Sequence, residues 1–222
     1  MKRMEGLKRM IPKNAVLADI GTDHAYLPIL AVSDHTIEKA YACDVAPGPL
    51  SQAKENIEKA GLQDRISVIL SNGFENVPMD VSAAVIAGMG YYTAAEILER
   101  AEKRLGLLTD IIVQVNQDVP LLRRWISDRK YRIKKELSLK ERGKYYTIID
   151  FDTRTSNTYP EEAILCGDPD VHLDLPAWKE ELLFRIEKTE EIIAKRGGDE
   201  ALEKECRLRR NALQSLAGNP NQ

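Results

Sequence analysis

The residues best suited to hold a ligand follow a short apolar run near the amino terminus. Segment 16–20 is apolar and short, which predicts a buried strand rather than a helix. Gly21 and Asp23 interrupt it, and a helix is predicted to follow, with Asp23 as its N-cap and Leu27 on its inner face. Doubly wound proteins hold ligands where a strand ends and opens onto a helix. Gly21 would let the backbone approach such a ligand, and the unpaired N–H groups of the helix would favour a negative group.

A carboxylate at the end of the next strand makes the prediction of a ligand site at this loop more specific. Segment 39–43 predicts a second strand, and Asp44 follows it, 23 residues after Gly21. A bound ribose needs an acidic residue there, about 20 residues after the loop, to accept from its hydroxyl pair. The loop lacks the three glycines of G-x-G-x-x-G, which argues against a nicotinamide enzyme. Taken alone, the loop also fits a tight strand–helix turn with a capping aspartate.

Two further strand ends carry residue types that suit a nucleoside ligand. Segment 66–70 predicts a third strand, after which Asn72 could read the exocyclic amine of an adenosyl cofactor. The Asn72-Gly73 pair is equally typical of a simple turn. Segment 83–87 predicts a fourth strand, and the glycines that flank Met89 would bring the backbone against a bulky group.

Composition bounds the class of protein. The chain has 222 residues, which indicates one substantial domain plus an appendage. With 43% hydrophobic and 30% charged residues, global disorder is excluded, and a net charge of −3 gives no overall attraction to nucleic acid. Three scattered cysteines without C-x-x-C predict a reduced, cytoplasmic protein with no zinc site. No apolar run is long enough for a membrane span, and the amino terminus is not a signal peptide.

The order of predicted elements indicates an α/β fold. The first five strands alternate with helices, and segments 131–139 and 144–152 predict an antiparallel pair around Gly143. We therefore expect a mainly parallel sheet with an antiparallel edge. From residue 176 onward, helical apolar patterns on both sides of a Gly-Gly turn predict a helical hairpin. This reading divides the chain into a domain over 1–153 and a linker with the hairpin over 154–222.

Two basic segments are candidate nucleic-acid surfaces. Segment 123–144 holds ten basic residues against three acidic ones, and segment 1–14 predicts a short amphipathic helix with a basic outer face. Both fit a surface for a phosphate backbone, and both also fit solvated faces and a lysine-protected edge strand. The candidate partner residues are Arg123, Arg124, Arg129, Lys130, Lys134 and Lys135, with Lys2, Arg3, Lys8 and Arg9 at the amino terminus.

Taken together, these motifs resemble the bacterial tRNA (adenine(22)-N1)-methyltransferases of the TrmK type over roughly residues 7–152. The resemblance implies a Rossmann-like class I methyltransferase fold with a C-terminal coiled coil, S-adenosylmethionine as cofactor, and methylation of N1 of an adenine in the D-arm of tRNA. The chain departs from the family at Tyr91, where glycine is usual, at Val115, where proline is usual, and at Asp44, where glutamate is usual. The motifs that carry it are D-I-G-T-D-H-A-Y-L-P (19–28), Gly48-Pro49, Asn72-Gly73, I-A-G-M-G (86–90), Gln114-Val115-Asn116 and Arg124-Trp125-Ile126.

The resemblance also implies a set of site residues. Asp23 would accept from the exocyclic amine of the target adenine, Tyr26 would stack or position it, and His24 would lie at the same mouth. Two alternatives remain open: Asp23 is only a helix cap, and His24 is only a scaffold residue. The cofactor-binding candidates are Asp19, Gly21, Asp44, Asn72, Gly73, Gly88, Met89 and Gly90.

Two other functions fit the same residues. One is a methyltransferase that acts on a small molecule or a protein, and the other is a non-catalytic adenosylmethionine-binding protein that recruits a partner through the hairpin. Salt-insensitive activity would favour the first, because phosphate contacts are salt-sensitive. Cofactor binding without turnover on RNA would favour the second. The sequence leaves the oligomeric state open.

Overall fold

The structure, a computed structural model, describes residues 2–217. Residues 218–222 of the predicted C-terminal domain lie outside the described residues. The strands are β1 (Val16–Ile20), β2 (Lys39–Asp44), β3 (Ile66–Leu70), β4 (Ala83–Met89), β5 (Asp110–Val115), β6 (Tyr131–Glu141) and β7 (Lys144–Ser156). The helices are α1 (Lys2–Met10), α2 (Tyr26–Ser33), α3 (Pro47–Lys59), α4 (Tyr91–Arg100), α5 (Glu102–Leu105), α6 (Val119–Asp128), α7 (Glu161–Cys166), α8 (Leu175–Arg196) and α9 (Glu200–Ala217).

The strands form one sheet in the order β3-β2-β1-β4-β5-β7-β6. The first five pair in parallel, while β7 runs antiparallel to both β5 and β6. The predicted α/β fold, with a mainly parallel sheet and an antiparallel edge, is therefore confirmed. The order reverses between β1 and β4, and doubly wound sheets bind ligands beyond the carboxyl ends of the strands at such a switch point.

Strand register defines two edges of this sheet. Val113 near the end of β5 pairs with Ile149, and Ile111 near its start pairs with Phe151. The turn between β6 and β7, at Arg142-Gly143, therefore lies beside the carboxyl ends of the parallel strands, which we call the carboxyl edge. The start of β6 at Tyr131 lies at the opposite side, the amino edge.

Both faces of the sheet are covered, which explains the nearly unbroken apolar strands. Leu17 and Ile112 pack under α1, α2 and α3, whereas Ile86 and Ile111 pack under α4 and α6. Helix α1 lies unusually close to β6, because a Cβ on Gly6 would come within 2.5 Å of the Leu139 side chain. This contact holds the amino terminus of α1 at the carboxyl edge.

The C-terminal helices form the predicted hairpin. Helices α8 and α9 pack on each other and on α7, around a small core that contains Trp178 and Cys166. The Trp178 indole N–H donates to the Cys166 carbonyl at 2.7 Å. The coiled-coil character of the hairpin and the division of the chain at 153/154 stay predictions. Among the described residues, no helix combines the length and apolarity needed to span a membrane.

Candidate active site

The β1–α2 corner is tied to the end of β2 by its backbone. Gly21 has a φ of 76°, a left-handed conformation that favours glycine. The backbone N–H groups of Gly21 and Thr22 both donate to the Cys43 carbonyl, each at 2.9 Å. The Thr22 hydroxyl donates to the buried Asp19 carboxylate at 2.7 Å. These bonds give the loop a defined shape that does not depend on a ligand.

The prediction that Asp23 caps helix α2 is wrong. The helix begins at Tyr26, its N-cap position is Ala25, and no side chain caps it. Asp23 and Ala25 both have left-handed φ angles, of 54° and 57°, because the chain turns twice between Gly21 and the helix. The Asp23 side chain is 67% exposed and is therefore free to meet a ligand.

A cavity of about 310 Å³ lies between this loop, the end of β4 and the start of α1. It contains a buried carboxylate, from Asp19, and a guanidinium, from Arg3, which is the one basic side chain among the described residues that line it. Burial, with a smaller contribution from the nearby Asp44 carboxylate, raises the pKa of Asp19 to about 6 against the Thr22 hydrogen bond, which lowers it. The other sequence-predicted residues at this cavity are Gly21, Asp23, Tyr26 and Gly88.

Arg3 is a residue whose role in this cavity the sequence analysis missed. The sequence predicts it on the basic outer face of the amino-terminal helix. Its positions relative to Leu7 and Met10, four and seven residues on, put it on the buried face of α1. Its guanidinium also donates to the Gln114 carboxamide oxygen at 3.4 Å. The helical spacing was the signal that could have found it.

Asp44 lies where the sequence predicts. Its carboxylate accepts from the backbone N–H of Ala46 at 3.0 Å and from that of Asp23 at 3.4 Å, so the end of β2 contacts the loop after β1. A carboxylate has about four lone-pair sites, so these two bonds leave capacity for two further donors. Asp44 can therefore accept from a hydroxyl pair while it holds the loop.

The end of β4 forms the opposite wall of the cavity. Gly88 has a φ of 81° at an irregularity in the β4–β5 pairing, and Gly90 is the N-cap of α4. A Cβ on Gly21 would lie 3.1 Å from the Met89 methyl group, which shows that Met89 packs over the loop. The Asn116 side-chain N–H donates to the Gly88 carbonyl at 2.7 Å and so fixes this wall from β5.

Of the predicted site residues, Asn72, Gly73 and His24 do not line this cavity, and neither do Asp44, Met89 and Gly90, which adjoin it. The Asn72 carboxamide is held by Arg100 at 2.9 Å and by Glu75 at 3.2 Å, and it lines a separate cleft beside α4. Gly73 packs against Ile97 next to it. The His24 Nε2 atom lies 3.3 Å from the Asp23 carboxylate, and the His24 ring centroid lies 5.2 Å from that of Tyr26. His24 thus contacts two residues of the cavity without lining it.

The predicted basic surface is divided by the fold. Arg123 is 4% exposed and forms a bidentate pair with the fully buried Glu136, so its prediction as an RNA contact is wrong. Lys134 pairs with Asp110, and Lys135 lies 3.6 Å from Asp150, both towards the amino edge. Four more of the predicted residues have carboxylate or carbonyl partners: Arg124 with Glu161, Arg129 with Glu99, Lys8 with Asp34 and Arg9 with the Leu173 carbonyl.

Basic side chains remain exposed at the carboxyl edge. Lys2 starts α1 there, and Arg142 and Lys144 lie in and after the β6–β7 turn. Lys130, by contrast, is exposed where α6 leads into β6, at the amino edge. The exposed positive charge near the cavity therefore comes from residues far apart in the chain.

Comparisons with known proteins agree with this geometry. A family model described as a methyltransferase domain matches residues 1–149. The tRNA (adenine(22)-N(1))-methyltransferase of Bacillus subtilis is 38% identical over 149 residues, which are 67% of this chain. The matched region spans 63% of that relative, less than two thirds of its length.

Two solved structures cover nearly the whole chain. A Streptococcus pneumoniae protein in complex with S-adenosyl-L-methionine has a TM-score of 0.85 and 32% identity, over 96% of this chain and 99% of its own. Mycoplasma capricolum TrmK, in complex with the cofactor product S-adenosyl-homocysteine, has a TM-score of 0.83 and 28% identity. That match covers 96% of this chain and 97% of the TrmK chain.

The sheet order, the ligand cavity at its switch point and the matching family model define a Rossmann-like methyltransferase. The matches to these two solved structures each cover 96% of the chain. The similarity therefore extends beyond the methyltransferase domain into the C-terminal hairpin. The chain belongs to the bacterial tRNA (adenine(22)-N1)-methyltransferase family of the TrmK type.

Proposed function

We propose that the chain is an S-adenosylmethionine-dependent methyltransferase that modifies N1 of an adenine in tRNA. The observation that carries the proposal is the cavity at the switch point, which is lined by both the buried carboxylate of Asp19 and the guanidinium of Arg3. Such a pair suits the ammonium and carboxylate of an amino-acid group. The names of the relatives support the transferred group and the RNA substrate.

The residues present fit this cofactor. Asp19 would face the ammonium of the methionine part, Arg3 its carboxylate, and Asp44 the ribose hydroxyls. Gly21, Gly88, Met89 and Gly90 would form the walls on either side. Asn72 and Gly73 would serve at the adenine only through their backbone or after release of the Asn72 side chain from Arg100. When bound, the sulfonium of the cofactor supplies an electrophilic methyl group.

The chain needs no residue to deprotonate its target, because N1 of neutral adenine carries an in-plane lone pair. Its residues have to hold the base in line and support the positive charge that develops on the purine. The exposed Asp23 carboxylate at the cavity would accept from the exocyclic amine and stabilise that charge. His24 would act through Asp23 as a positioning residue, and Tyr26, half exposed, would stack on the base.

The proposed RNA surface is the carboxyl edge, with Lys2, Arg142 and Lys144 as phosphate contacts. This differs from the basic run predicted from sequence, most of which is paired. A target base must leave its stack to reach the cavity. We also propose the division into a catalytic domain over 1–153 and a hairpin domain over 154–222, and a cytoplasmic location, where tRNA is found.

The test is methyl transfer to unmodified tRNA transcripts, followed by mass mapping of the nucleosides. We expect N1-methyladenosine at one D-arm position, absent when that adenine is replaced by guanine. We also expect Asp23→Ala to slow single-turnover transfer while S-adenosyl-homocysteine affinity stays unchanged. Binding of the cofactor without transfer to any tRNA would contradict the proposal and favour a non-catalytic role. Salt-insensitive transfer to a small molecule or protein would contradict the RNA substrate.

A further inference from the structure

A second and larger cavity, of about 580 Å³, opens at the carboxyl edge beside the first. Its walls come from the loop between β5 and α6, the β6–β7 turn and helix α8, so it lies where the sheet meets the C-terminal hairpin. Arg3 from the first cavity lies 5.5 Å from the ring of Tyr146, which lines the second. The two cavities are therefore neighbours with this side-chain pair between them.

The second cavity has an aromatic wall. The rings of Tyr145 on β7 and Phe184 on α8 lie 5.1 Å apart at an angle of 40°. The Tyr145 hydroxyl donates to Glu180 at 2.8 Å, which fixes its ring against α8. Phe184 is 37% exposed, so part of its ring is accessible to a ligand. Proteins bind unpaired bases on partly exposed aromatic rings of this kind.

The rest of the cavity mixes apolar and polar residues, and its charged members are Asp118, Lys144 and Arg185, of which Arg185 pairs with Glu181. Gln117 presents an exposed carboxamide, which can pair with the edge of a base, beside Asn116, whose side-chain N–H donates to the Gly88 carbonyl. Lys144 is exposed at the cavity, and Arg142 and Lys2 are exposed around the same edge. An aromatic wall with exposed lysine and arginine side chains around the same edge suits a nucleotide better than an apolar peptide.

We propose that this cleft binds an unpaired nucleotide of the RNA substrate that flanks the methylated one. Its base stacks against Tyr145 and Phe184, and its phosphate lies at Lys144. The methylated base itself has to enter the first cavity, and the pair of Arg3 and Tyr146 separates the two. The inference rests on the proposed function, because it takes RNA as the substrate. It gives the hairpin, through Phe184, a direct part in substrate binding.

The test compares Phe184→Ala with Leu183→Ala. Leu183 precedes Phe184 on the same helix, is 58% exposed and does not line the cleft, so it is a matched control. Base stacking on an aromatic ring corresponds to roughly 5-fold to 100-fold in affinity. We expect Phe184→Ala to weaken tRNA binding by a factor in that range, Phe184→Trp to retain it, and Leu183→Ala to leave it unchanged. The S-adenosyl-homocysteine dissociation constant should stay the same in all three variants.

A lysine pair tests the phosphate contact. We expect Lys144→Ala to lower tRNA affinity and to reduce the slope of log affinity against log salt by about 1. Lys130→Ala removes an equally exposed lysine at the amino edge and should change neither quantity. Both variants should keep the melting temperature of the unmodified chain.

The outcomes separate this inference from the proposed function. If the unmodified chain binds S-adenosyl-homocysteine and tRNA, yet Phe184→Ala binds tRNA as tightly as Leu183→Ala does, the cleft serves another ligand and the inference is overturned. It is also overturned if Phe184→Ala weakens S-adenosyl-homocysteine and tRNA equally, since that would indicate a general structural effect. If the unmodified chain binds no tRNA at all, the proposed function itself fails.

Discussion

Two groups of basic side chains in this molecule have the same chemistry and opposite surroundings. In the first group, Arg123, Lys134 and Lys135 contact the buried carboxylates of Glu136, Asp110 and Asp150. In the second, Lys2, Arg142 and Lys144 are exposed at the carboxyl edge, and Arg3 lines the cavity there. The first group is committed to the fold and the second is available to ligands. Local density of positive charge therefore does not by itself identify a nucleic-acid surface.

The strongest test of this comparison is Arg123→Ala. Removing one partner of a buried ion pair leaves the other charge uncompensated, so we expect unfolding free energy to fall by about 3–5 kcal/mol. Arg124→Ala is the matched control, because its ion pair with Glu161 is exposed, and it should cost less than about 1 kcal/mol. Urea denaturation measures both. Equal stability of the two variants would show that burial does not distinguish the groups.

Asp44→Ala tests the carboxyl edge as a ligand site. Loss of hydrogen bonds to a charged acceptor should weaken S-adenosyl-homocysteine by roughly 10-fold to 100-fold. Asp44→Asn keeps one acceptor oxygen for the loop. Its affinity for S-adenosyl-homocysteine should lie between those of the unmodified chain and Asp44→Ala, and its melting temperature should be unchanged. Isothermal titration calorimetry gives the affinities. Full affinity in Asp44→Ala would remove the ribose assignment.

A comparison of Arg3→Ala with Lys2→Ala tests whether the second group contains both a cofactor contact and an RNA contact. We expect Arg3→Ala to weaken S-adenosyl-homocysteine by roughly 10-fold, because a charge-assisted hydrogen bond is lost. Lys2→Ala should leave that affinity unchanged and lower only the affinity for tRNA and its salt dependence. An analogue of S-adenosyl-homocysteine without its carboxylate should bind equally well to the Arg3→Ala and unmodified chains. If Arg3→Ala affects tRNA alone, the basic face predicted from sequence was the better interpretation.

The smallest expected effect is a pH dependence at Asp19. Burial raises the pKa of Asp19 in the free protein to about 6, above the ordinary value of 3.8, so protonation stabilises the folded state. That stabilisation is complete below about pH 4 and is lost as the pH rises through 6. A ligand ammonium needs the ionised carboxylate, so S-adenosyl-homocysteine affinity should fall about 5-fold from pH 6 to pH 5, as the ionised fraction of Asp19 falls.

Asp19→Asn supplies the control for that profile. It should bind the ligand weakly at every pH, with a flat profile, and should raise the unfolding free energy above pH 6, because no buried charge forms. A flat profile in the unmodified chain would show that Asp19 does not face the ammonium.

The sequence by itself determined the sheet type, the place of the ligand loop and the family of this protein. A short apolar run bounded by polar residues predicted β3 at its observed limits, and the alternation of strands with helices predicted a parallel sheet. The spacing of Gly21 and Asp44 predicted that the loop after β1 meets the end of β2, because parallel strands end at a common edge. The motifs predicted the family. All these features follow from local pattern, which depends on neighbours in the chain.

Only the tertiary structure decided which charged side chains are available to ligands. Arg123 is buried because β6 and α7 supply Glu136 and the Leu165 carbonyl, 13 and 42 residues away in sequence. Asn72 is turned to Arg100 on α4, and Phe184 on α8 reaches the β6–β7 turn to complete a second cleft. The physical reason is that a charge or an aromatic ring takes its role from its partners. Those partners come from distant segments that no local pattern brings together.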